Sequence, residues 1–320
     1  MANVGGNVAK TFRDKFRVIH KETVQWFPGH MRKGLRQMQQ KLKSIDCIIE
    51  VHDARLPLTG RLQEFRNTVS GLKPHILVLN KMDLADMSKE SIIRKKLKAE
   101  GYDKIIFTNF KDQTCQGMKS LLPISVELIE QSNRYNRMTE IEYVTMIIGA
   151  PNVGKSSLIN RLRNNYLHKG NATAVGNLAG VTRSVLTRIK INEKPLVYLL
   201  DTPGIYTPYV RDIYAGLKLA LVGSLQDHLV GQEIIADYLL FWLNKQRKFE
   251  YVEKLGLKEP NDNIIDVLAM VALKMGRVKK IKNYDGQYIQ RPDFVYAAEH
   301  FIRIFRTGEL GRICLDEDIL

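Results

Sequence analysis

The sequence predicts an α/β fold followed by an all-helical C-terminal domain. Three observations carry this prediction. Short apolar runs of strand length end in polar or glycine-containing segments, as the buried strands of a parallel sheet do. One such run leads through a glycine-rich segment, 149–156, into apolar residues at helical spacing. Beyond residue 225, apolar residues recur at helical spacing in segments separated by helix-breaking residues.

In chain order, the first predicted strand covers 74–79 and leads directly into an Asn-Lys-Met-Asp tetrad at 80–83. The tetrad has the pattern of a guanine-specificity motif, in which Asp83 accepts from the N1–H and the N2 amine of guanine. Adenine does not present this pair of donors. A second strand over 105–107 ends where a backbone N–H reaches guanine O6. The predicted base-binding residues are Asn80, Lys81, Met82, Asp83, Thr108 and Asn109.

A third strand over 142–148 precedes the glycine-rich segment 149–156, and residues 155–162 follow as a helix. Backbone N–H groups at a helix N-terminus bind phosphate, and a lysine there reaches the β- and γ-phosphates. A serine directly after the lysine ligates Mg²⁺. A glycine-containing turn that matches by chance is the alternative. The predicted phosphate-binding residues are Asn152, Val153, Gly154, Lys155, Ser156 and Ser157, and Ser156 is also a predicted Mg²⁺ ligand.

Two further segments belong to the phosphate side of the site. Residues 196–200 predict another buried strand, which places Asp201 at its carboxyl end, where open α/β sheets bind ligands. Asp201 is therefore a predicted Mg²⁺ ligand, and Gly204 is predicted to offer its backbone N–H to the γ-phosphate. Thr182, in a loop rich in Gly, Asn and Ala, is predicted to close on Mg²⁺ when GTP is bound. A surface threonine is the alternative.

These motifs stand in an unusual order along the chain. The base tetrad comes about seventy residues before the phosphate loop, and Asp201 comes last. In an ordinary GTPase the phosphate loop comes first. Because a site is defined by geometry rather than by chain order, the same pocket can still form. We therefore predict a circularly permuted P-loop GTPase domain.

Six segments resemble one known family of GTPases: 26–31, 53–58, 80–84, 149–160, 180–182 and 201–205. On these segments the chain resembles the YlqF/RbgA family of permuted GTPases, and within it the mitochondrial ribosome-associated members. The resemblance covers roughly residues 24–210. It implies hydrolysis of GTP to GDP, Mg²⁺ as cofactor, and a role in assembly of the mitochondrial large ribosomal subunit. It also implies binding of the subunit and its rRNA in the GTP state, with release on hydrolysis.

The resemblance also supplies a candidate catalytic group. Many GTPases place a glutamine after the switch glycine to orient water, but this position is Ile205, whose aliphatic side chain cannot do so. The resemblance points instead to His30, and an imidazole suits this task near neutral pH. The alternative is that His30 caps a helix or packs under Trp26. Asn152 matches an asparagine that holds K⁺ in related GTPases, so K⁺ is a second expected ion.

The composition limits the classes of protein that fit. The chain has 320 residues and a net charge of +15, and it contains no apolar run of the ~20 residues that a transmembrane helix needs. Its three cysteines, Cys47, Cys115 and Cys314, are widely spaced. This odd count argues against a disulfide framework and against a zinc site, so a reducing compartment is expected.

Much of the positive charge lies near the N-terminus. Residues 1–45 carry ten Lys and Arg and two acidic residues, and Arg32, Lys33 and Arg36 lie opposite a predicted apolar helix face. Such a face suits a phosphate backbone, although a solvated helix face is the alternative. A second basic run, 274–282, is expected at a helix end and is also a candidate RNA contact.

The first residues give a prediction of location. In residues 1–25, Phe12, Phe16 and Ile19 would share one helical face and acidic residues are few, as in a mitochondrial transit peptide. A flexible basic arm is the alternative. The expected location is the mitochondrial matrix, and the resemblance allows peripheral association with the matrix face of the inner membrane.

The chain is therefore expected to have three parts. They are a basic extension or transit peptide over 1–25, the permuted GTPase domain over 26–210 and the helical domain over 225–320. Three function classes fit: the assembly GTPase, a nucleotide-gated RNA-binding scaffold or regulator of mitochondrial translation with incidental hydrolysis, and a signalling GTPase. The basic N-terminal segment disfavours the third class. A variant at His30 separates the first two.

Overall fold

The computed structural model describes residues 12–17, 40–59, 61, 73–135, 137–170, 187–202, 213–282 and 287–320. The chain divides into two compact units. The sheet unit contains Gln25–Leu229 and Arg312–Leu320, and the helical unit contains Met1–Val24 and Val230–Gly311. Several residues of the sequence predictions lie outside the described residues: His30, Arg32, Lys33, Arg36, Thr182 and Gly204.

A six-stranded sheet forms the core of the sheet unit. Its strands are β1 (Cys47–Asp53), β2 (His75–Asn80), β3 (Lys104–Thr108), β4 (Tyr143–Ile148), β5 (Thr187–Asn192) and β6 (Val197–Asp201). Their order across the sheet is β3-β2-β1-β4-β6-β5. All neighbouring pairs are parallel except β5 and β6. The predicted strands over 74–79, 105–107, 142–148 and 196–200 therefore belong to one sheet, as the α/β prediction requires.

The central strand β1 was not predicted from the sequence. Every residue of β1 is buried, yet Glu50 and His52 interrupt its apolar pattern. Glu50 pairs with His52 at 2.7 Å and with His75 of β2 at 2.9 Å. Because a buried carboxylate is costly unless it is paired, these two contacts make a charged residue compatible with the middle of the sheet.

Helices of the sheet unit follow the strands. They are α1 (Glu90–Ala99), α2 (Gln116–Glu130), α3 (Lys155–Leu167) and α4 (Ile213–Leu221). Helix α3 begins after Gly154, whose φ of +109° lies in the left-handed region, and it buries Leu158, Ile159 and Leu162. The helical spacing predicted after the glycine-rich segment is thus confirmed. One helical turn, Asp227–Val230, lies where the chain passes from one unit into the other.

The helical unit contains helices α5 (Gln232–Lys245), α6 (Glu250–Leu255), α7 (Ile264–Lys274) and α8 (Phe294–Thr307). Helix α8 packs against α5 and α7. The unit also contains an antiparallel hairpin of strands β7 (Val278–Lys282) and β8 (Tyr288–Pro292). The helical prediction is therefore incomplete at the basic run 274–282. Val278–Lys282, with lysine at three of its five positions, forms an exposed strand there, because its two apolar residues offer too little apolar surface for a helix to bury.

Residues 12–17 are part of the helical unit. Phe16 is only 7% exposed, and its ring contacts those of Tyr238 and Phe241. Arg13 donates to the carboxylate of Asp237 at 2.7 Å. These residues form a bend rather than a helix, so the helical face predicted for Phe12 and Phe16 is wrong.

The C-terminal part of the helical unit is shorter at both ends than the predicted domain over 225–320. It begins at Val230 and ends at Gly311, and residues 312–320 belong to the sheet unit. Within the described residues, no helix combines the length and the apolar character that crossing a membrane requires. Cys47, Cys115 and Cys314 are free and buried. The described part of the chain holds no cluster of three or more His, Cys, Asp or Glu that could bind a metal.

The turn after β4 generates a stability prediction. Gly149 has a φ of +144°, and a Cβ added to it would lie 2.1 Å from the carbonyl oxygen of Val51. Gly149→Ala should therefore lower the free energy of unfolding by about 3 kcal/mol, since both backbone strain and a backbone clash must be relieved. Gly170→Ala is the matched control, because nothing lies within 4 Å of its Cβ. Equal unfolding midpoints in denaturant for the two variants would contradict the prediction.

Candidate nucleotide-binding site

The candidate site lies where the carboxyl ends of β2, β4 and β6 meet along one edge of the sheet. In parallel strands this edge collects the connecting loops, and ligands of α/β sheets bind there. Asn80 ends β2, the segment 149–154 follows β4, and Asp201 ends β6. Three motifs that are far apart in the chain are thus brought to one place.

Asn80 joins the base side of the site to the phosphate side. It is 4% exposed, and its side-chain nitrogen donates to the carbonyl of Val153 at 2.8 Å. Its side-chain oxygen accepts from the backbone N–H of Phe110 at 3.2 Å. A Cβ on Gly154 would lie 2.6 Å from that same nitrogen. Asn80 therefore fixes the phosphate loop closely against the loop that follows β3.

The phosphate loop has the backbone that anion binding requires. Asn152 has a φ of +60° and Gly154 a φ of +109°, and the loop leads directly into the N-terminus of α3. Left-handed residues before a helix turn successive N–H groups to one side, where they bind phosphate. Lys155 is buried, and its ammonium donates to the carbonyls of Gly149 at 3.1 Å and Ala150 at 2.8 Å. The lysine is thus held within the loop.

Burial shifts the ionisation of both charged groups in the phosphate site. It lowers the pKa of Lys155 to about 8, although the nearby Asp201 carboxylate opposes this shift. Burial raises the pKa of Asp201, although Lys155 opposes that shift in turn. The charged form of each group is therefore stabilised when an opposite charge enters the site. A phosphate stabilises the ammonium of the lysine, and a cation stabilises the carboxylate.

Asp201 and Ser156 fit a Mg²⁺ ion. Asp201 is 4% exposed, and among the described residues its Oδ1 has no hydrogen-bond partner. The hydroxyl of Thr202 donates to the carbonyl of Ile147 at 2.5 Å, which ties the end of β6 to β4. Ser156 is the second residue of α3. Mg²⁺ prefers carboxylate, hydroxyl and phosphate oxygens, and when bound it neutralises charge on the β- and γ-phosphates.

The base side is built by β2, β3 and the loops that follow them. Asp83 is exposed, and the N–H of Met82 donates to the carbonyl of Thr108 at 3.1 Å. The N–H of Asn109 donates to the sulfur of Cys115 at 3.3 Å. A bond from Asn109 to guanine O6, as predicted, would have to replace this contact.

Asn152 links the phosphate loop to the turn after α4. Its side-chain nitrogen donates to the carbonyl of Gly223 at 2.7 Å, and the hydroxyl of Ser224 donates to the carbonyl of Pro151 at 3.0 Å. With the nitrogen engaged in this way, a K⁺ ion would have to be held through the side-chain oxygen of Asn152.

In comparisons with known proteins, a family model described as 50S ribosome-binding GTPase matches residues 144–272. The chain is 54% identical to Mitochondrial GTPase 1 of Aedes aegypti, over 97% of this chain and 99% of that protein. It is 48% identical to Mitochondrial ribosome-associated GTPase 1 of Bos taurus, over 98% and 94% respectively. It is 33% identical to Ribosome biogenesis GTPase A of Bacillus cereus, over 92% and 93%. The chain belongs to the YlqF/RbgA family of circularly permuted GTPases.

Solved structures of this family share the fold. GNP-bound YlqF from T. maritima matches with a TM-score of 0.56 and 23% identity, over 88% of this chain and 97% of that one. The GDP-bound YlqF structure matches with a TM-score of 0.54 and 22% identity, over 88% and 98%. The permuted α/β prediction is confirmed. As a member of the family, the protein is an enzyme that hydrolyses GTP to GDP and phosphate.

Several residues of this GTPase site were missed in the sequence. Phe110 supplies a backbone N–H to Asn80, and its ring would lie 3.0 Å from a Cβ on Gly154. Cys115 accepts from Asn109. Neither residue belongs to a nucleotide motif, so no pattern marks them. Asp53 pairs with Arg55 and with Lys81 of the tetrad. Both Asp53 and Arg55 lie in the family segment 53–58, and that segment was the signal that could have marked them.

The lowered pKa of Lys155 generates a pH prediction. Near pH 8, rather than near the ordinary value of 10.5, the ammonium loses its proton and with it the attraction for phosphate. GDP affinity should therefore fall up to about tenfold per pH unit above about 8, because GDP binds the protonated form. Affinities would be measured by fluorescence titration from about pH 7 to about pH 9.5. The ratio to Lys155→Ala removes the titration of the nucleotide itself, and a ratio that does not change with pH would contradict the prediction.

Proposed function

We propose that this GTPase acts on the large subunit of the mitochondrial ribosome during its assembly, binding the subunit and its rRNA with GTP and leaving after hydrolysis. The observation that carries the proposal is the extent of the similarity. The relative named mitochondrial ribosome-associated GTPase 1 in Bos taurus matches 98% of this chain, so the similarity includes the helical unit as well as the nucleotide site. The bacterial relative is named for ribosome biogenesis. The mitochondrial matrix, including peripheral contact with the inner membrane, is the proposed location.

In the proposed site, each end of the nucleotide is recognised by different residues. Asp83 is exposed in the loop after β2, where it accepts from the two guanine donors. Lys155 and the N–H groups at the start of α3 bind the β- and γ-phosphates. Ser156 and Asp201 hold Mg²⁺, and the Oδ1 of Asp201, which has no hydrogen-bond partner within the described part of the chain, supports this role.

Hydrolysis is proposed to depend on groups that close around the γ-phosphate. Thr182 binds the metal and Gly204 senses the phosphate, while His30 positions the attacking water in place of the aliphatic Ile205. K⁺, held by the side-chain oxygen of Asn152, would add a second positive charge beside the phosphates. Loss of the γ-phosphate removes the partner of Gly204, which favours the released state.

The hairpin of the helical unit is the proposed contact with rRNA. Directly opposite residues of an antiparallel pair share a face, so the register places Lys280 with Gln290 and Lys282 with Tyr288. All four are exposed, and Tyr288 is 73% exposed. This face offers two ammonium groups for phosphates and a ring on which an unpaired base can stack. Neither strand contains an acidic residue to oppose an RNA backbone.

Base selectivity gives the first test of the proposed roles. Asp83→Asn should weaken GDP binding by about 3 kcal/mol, because one acceptor of the two guanine donors becomes a donor itself. The same variant should bind xanthosine diphosphate more tightly than the unaltered protein does. Both affinities are measured by calorimetric titration, with ATP as a further ligand. Equal affinities of the unaltered protein for ATP and GTP would contradict the assignment of Asp83.

Cosedimentation tests the proposed partner. The protein should pellet with mitochondrial large subunits in the presence of a non-hydrolysable GTP analogue, and about tenfold less with GDP, which requires ~1.4 kcal/mol of coupling. Replacing Lys280 and Lys282 together with Glu should weaken the binding. It should also flatten the dependence of log affinity on log salt concentration by about two units, one for each phosphate that a lysine no longer neutralises.

The control carries the same change of charge elsewhere. Lys95 and Lys98 are exposed on α1, and their replacement with Glu should leave subunit binding unchanged. Subunit binding that depends on neither the nucleotide nor the hairpin charges would refute the proposal.

His30→Ala should retain nucleotide binding and lower turnover on the subunit by about 10²-fold. If that variant still supports assembly, hydrolysis is incidental and the scaffold function is correct.

A further inference from the structure

Residues 312–320 form a segment of the sheet unit that contains none of the nucleotide motifs. Ile313, Cys314, Leu315 and Asp316 are each no more than 1% exposed. Loops usually run over the surface, so four consecutive buried residues outside any helix or strand indicate a segment fixed by specific contacts. Those contacts lead to the guanine tetrad by two routes.

The first route is direct. The N–H of Ile313 donates to the carbonyl of Leu84 at 3.0 Å, and Leu84 is the residue that follows Asp83. Leu320 packs against the core cluster that Met82 also contacts. The backbone bond and the apolar contact both act on the loop that presents Asp83 to the base.

The second route begins at the loop after β1. The N–H of Leu315 donates to the carbonyl of Arg55 at 2.8 Å. The carboxylate of Asp316 accepts from the N–H of Leu58 at 2.8 Å, and from the N–H and hydroxyl of Thr59 at 2.9 Å and 2.5 Å. One side chain thus satisfies two backbone donors and one hydroxyl of residues 54–59.

Residues at the end of β1 and in the loop after it also restrain Lys81 of the guanine tetrad. Arg55 donates to the carboxylate of Asp53 at 2.9 Å and 2.8 Å, and the ammonium of Lys81 lies 2.9 Å from that carboxylate. Although burial raises it, these two cations hold the pKa of Asp53 well below its usual range. Lys81 has a φ of +63°, a conformation that persists in a residue with a side chain only where tertiary contacts hold it. The Asp53 contact is such a restraint, and it depends on the placement of Arg55.

Asp316 is the residue on which this second route depends. It is fully buried, and it lies 3.4 Å from the ammonium of Lys218, which also pairs with Asp318 at 2.6 Å. Removing the Asp316 carboxylate would leave the backbone N–H groups of Leu58 and Thr59 without their acceptor in a partly buried site. Such groups seek other partners, so the loop and the segment would separate.

We propose that residues 312–320 position the guanine tetrad, and that Asp316 is a positioning residue for base selectivity. The contacts of Asp316 are with Leu58, Thr59 and Lys218, none of which is a residue of the tetrad. Asp316 acts through the loop after β1 on Lys81, while Ile313 acts on the residue next to Asp83. This inference rests on the proposed assignment of Asp83 to guanine.

The experiment compares GDP with inosine diphosphate, which lacks the N2 amine. The unaltered protein should prefer GDP about tenfold, because Asp83 loses one of its two donors in the inosine nucleotide. In Asp316→Ala, GDP affinity should fall about tenfold and inosine diphosphate affinity about threefold, so the preference falls to about threefold. Asp318→Ala is the matched control. The Asp318 side chain is 46% exposed and, like Asp316, pairs with Lys218. Because the bonds to Leu58 and Thr59 come from Asp316, the tenfold preference should remain in this control.

The ratio of affinities separates positioning from general destabilisation. If Asp316→Ala lowers both affinities in equal proportion, residues 312–320 are only a structural support and the inference is overturned. Thr59→Val provides a second variant for the case in which Asp316→Ala does not fold, because it removes a single hydroxyl bond. A reduced GDP preference in Thr59→Val supports the inference, and an unchanged preference overturns it. If the unaltered protein shows no preference for GDP, the assignment of Asp83 fails and the positioning role fails with it.

Discussion

The side-chain amide of Asn80 is the interaction on which the nucleotide site depends. It donates to the phosphate loop at Val153 and accepts from the backbone at Phe110, so it joins three segments that the chain order keeps apart. Both bonds are buried, where a polar group without a partner is costly and a satisfied one specifies a single arrangement. The distance between the base loop and the phosphate loop is therefore fixed by one residue of the guanine tetrad.

This constraint explains why a permuted chain can build an ordinary GTPase pocket. The strand that carries the tetrad, β2, and the strand before the phosphate loop, β4, lie on either side of β1. All three are parallel, so their carboxyl ends lie on the same edge of the sheet whatever the order in which the chain forms them. Gly154 completes the arrangement, since a side chain there would meet both Asn80 and Phe110. Permutation changes the order in which the chain connects the strands, whereas the packing of Asn80 and Gly154 at this edge depends only on the strand positions.

The sequence was sufficient to predict the parts of the fold that follow simple periodicity or a local motif. The strands before Asn80 and Asp201, the helix at Lys155 and the permuted order are all confirmed, and so is the family. Strand β1 was missed because Glu50 and His52 break its apolar pattern, and only their pairing in the sheet makes them compatible with burial. The hairpin was missed because exposed strands leave no apolar face to detect.

The site itself was predicted only where its residues lie in a motif. The motifs marked Lys155 and Asp201, whose charges interact. The contribution of Phe110, in contrast, depends on a backbone N–H, which any residue type could supply. The engagement of Asn109 with Cys115 also depends on the path of the loop after β3. Asp316 contacts a loop more than 250 residues earlier in the chain, and such pairings are visible only in three dimensions.

The return of the chain to the sheet unit has a consequence for biosynthesis. Residues 230–311 of the helical unit stand between α4 and the 312–320 segment, so they interrupt the sheet unit along the chain. Synthesis proceeds from the N-terminus, and domains fold largely as units while the chain emerges. The helical unit is therefore translated before the last buried residues of the sheet unit, among them Leu315 and Asp316, become available. The loop after β1 therefore lacks these partners until residues 315 and 316 arrive.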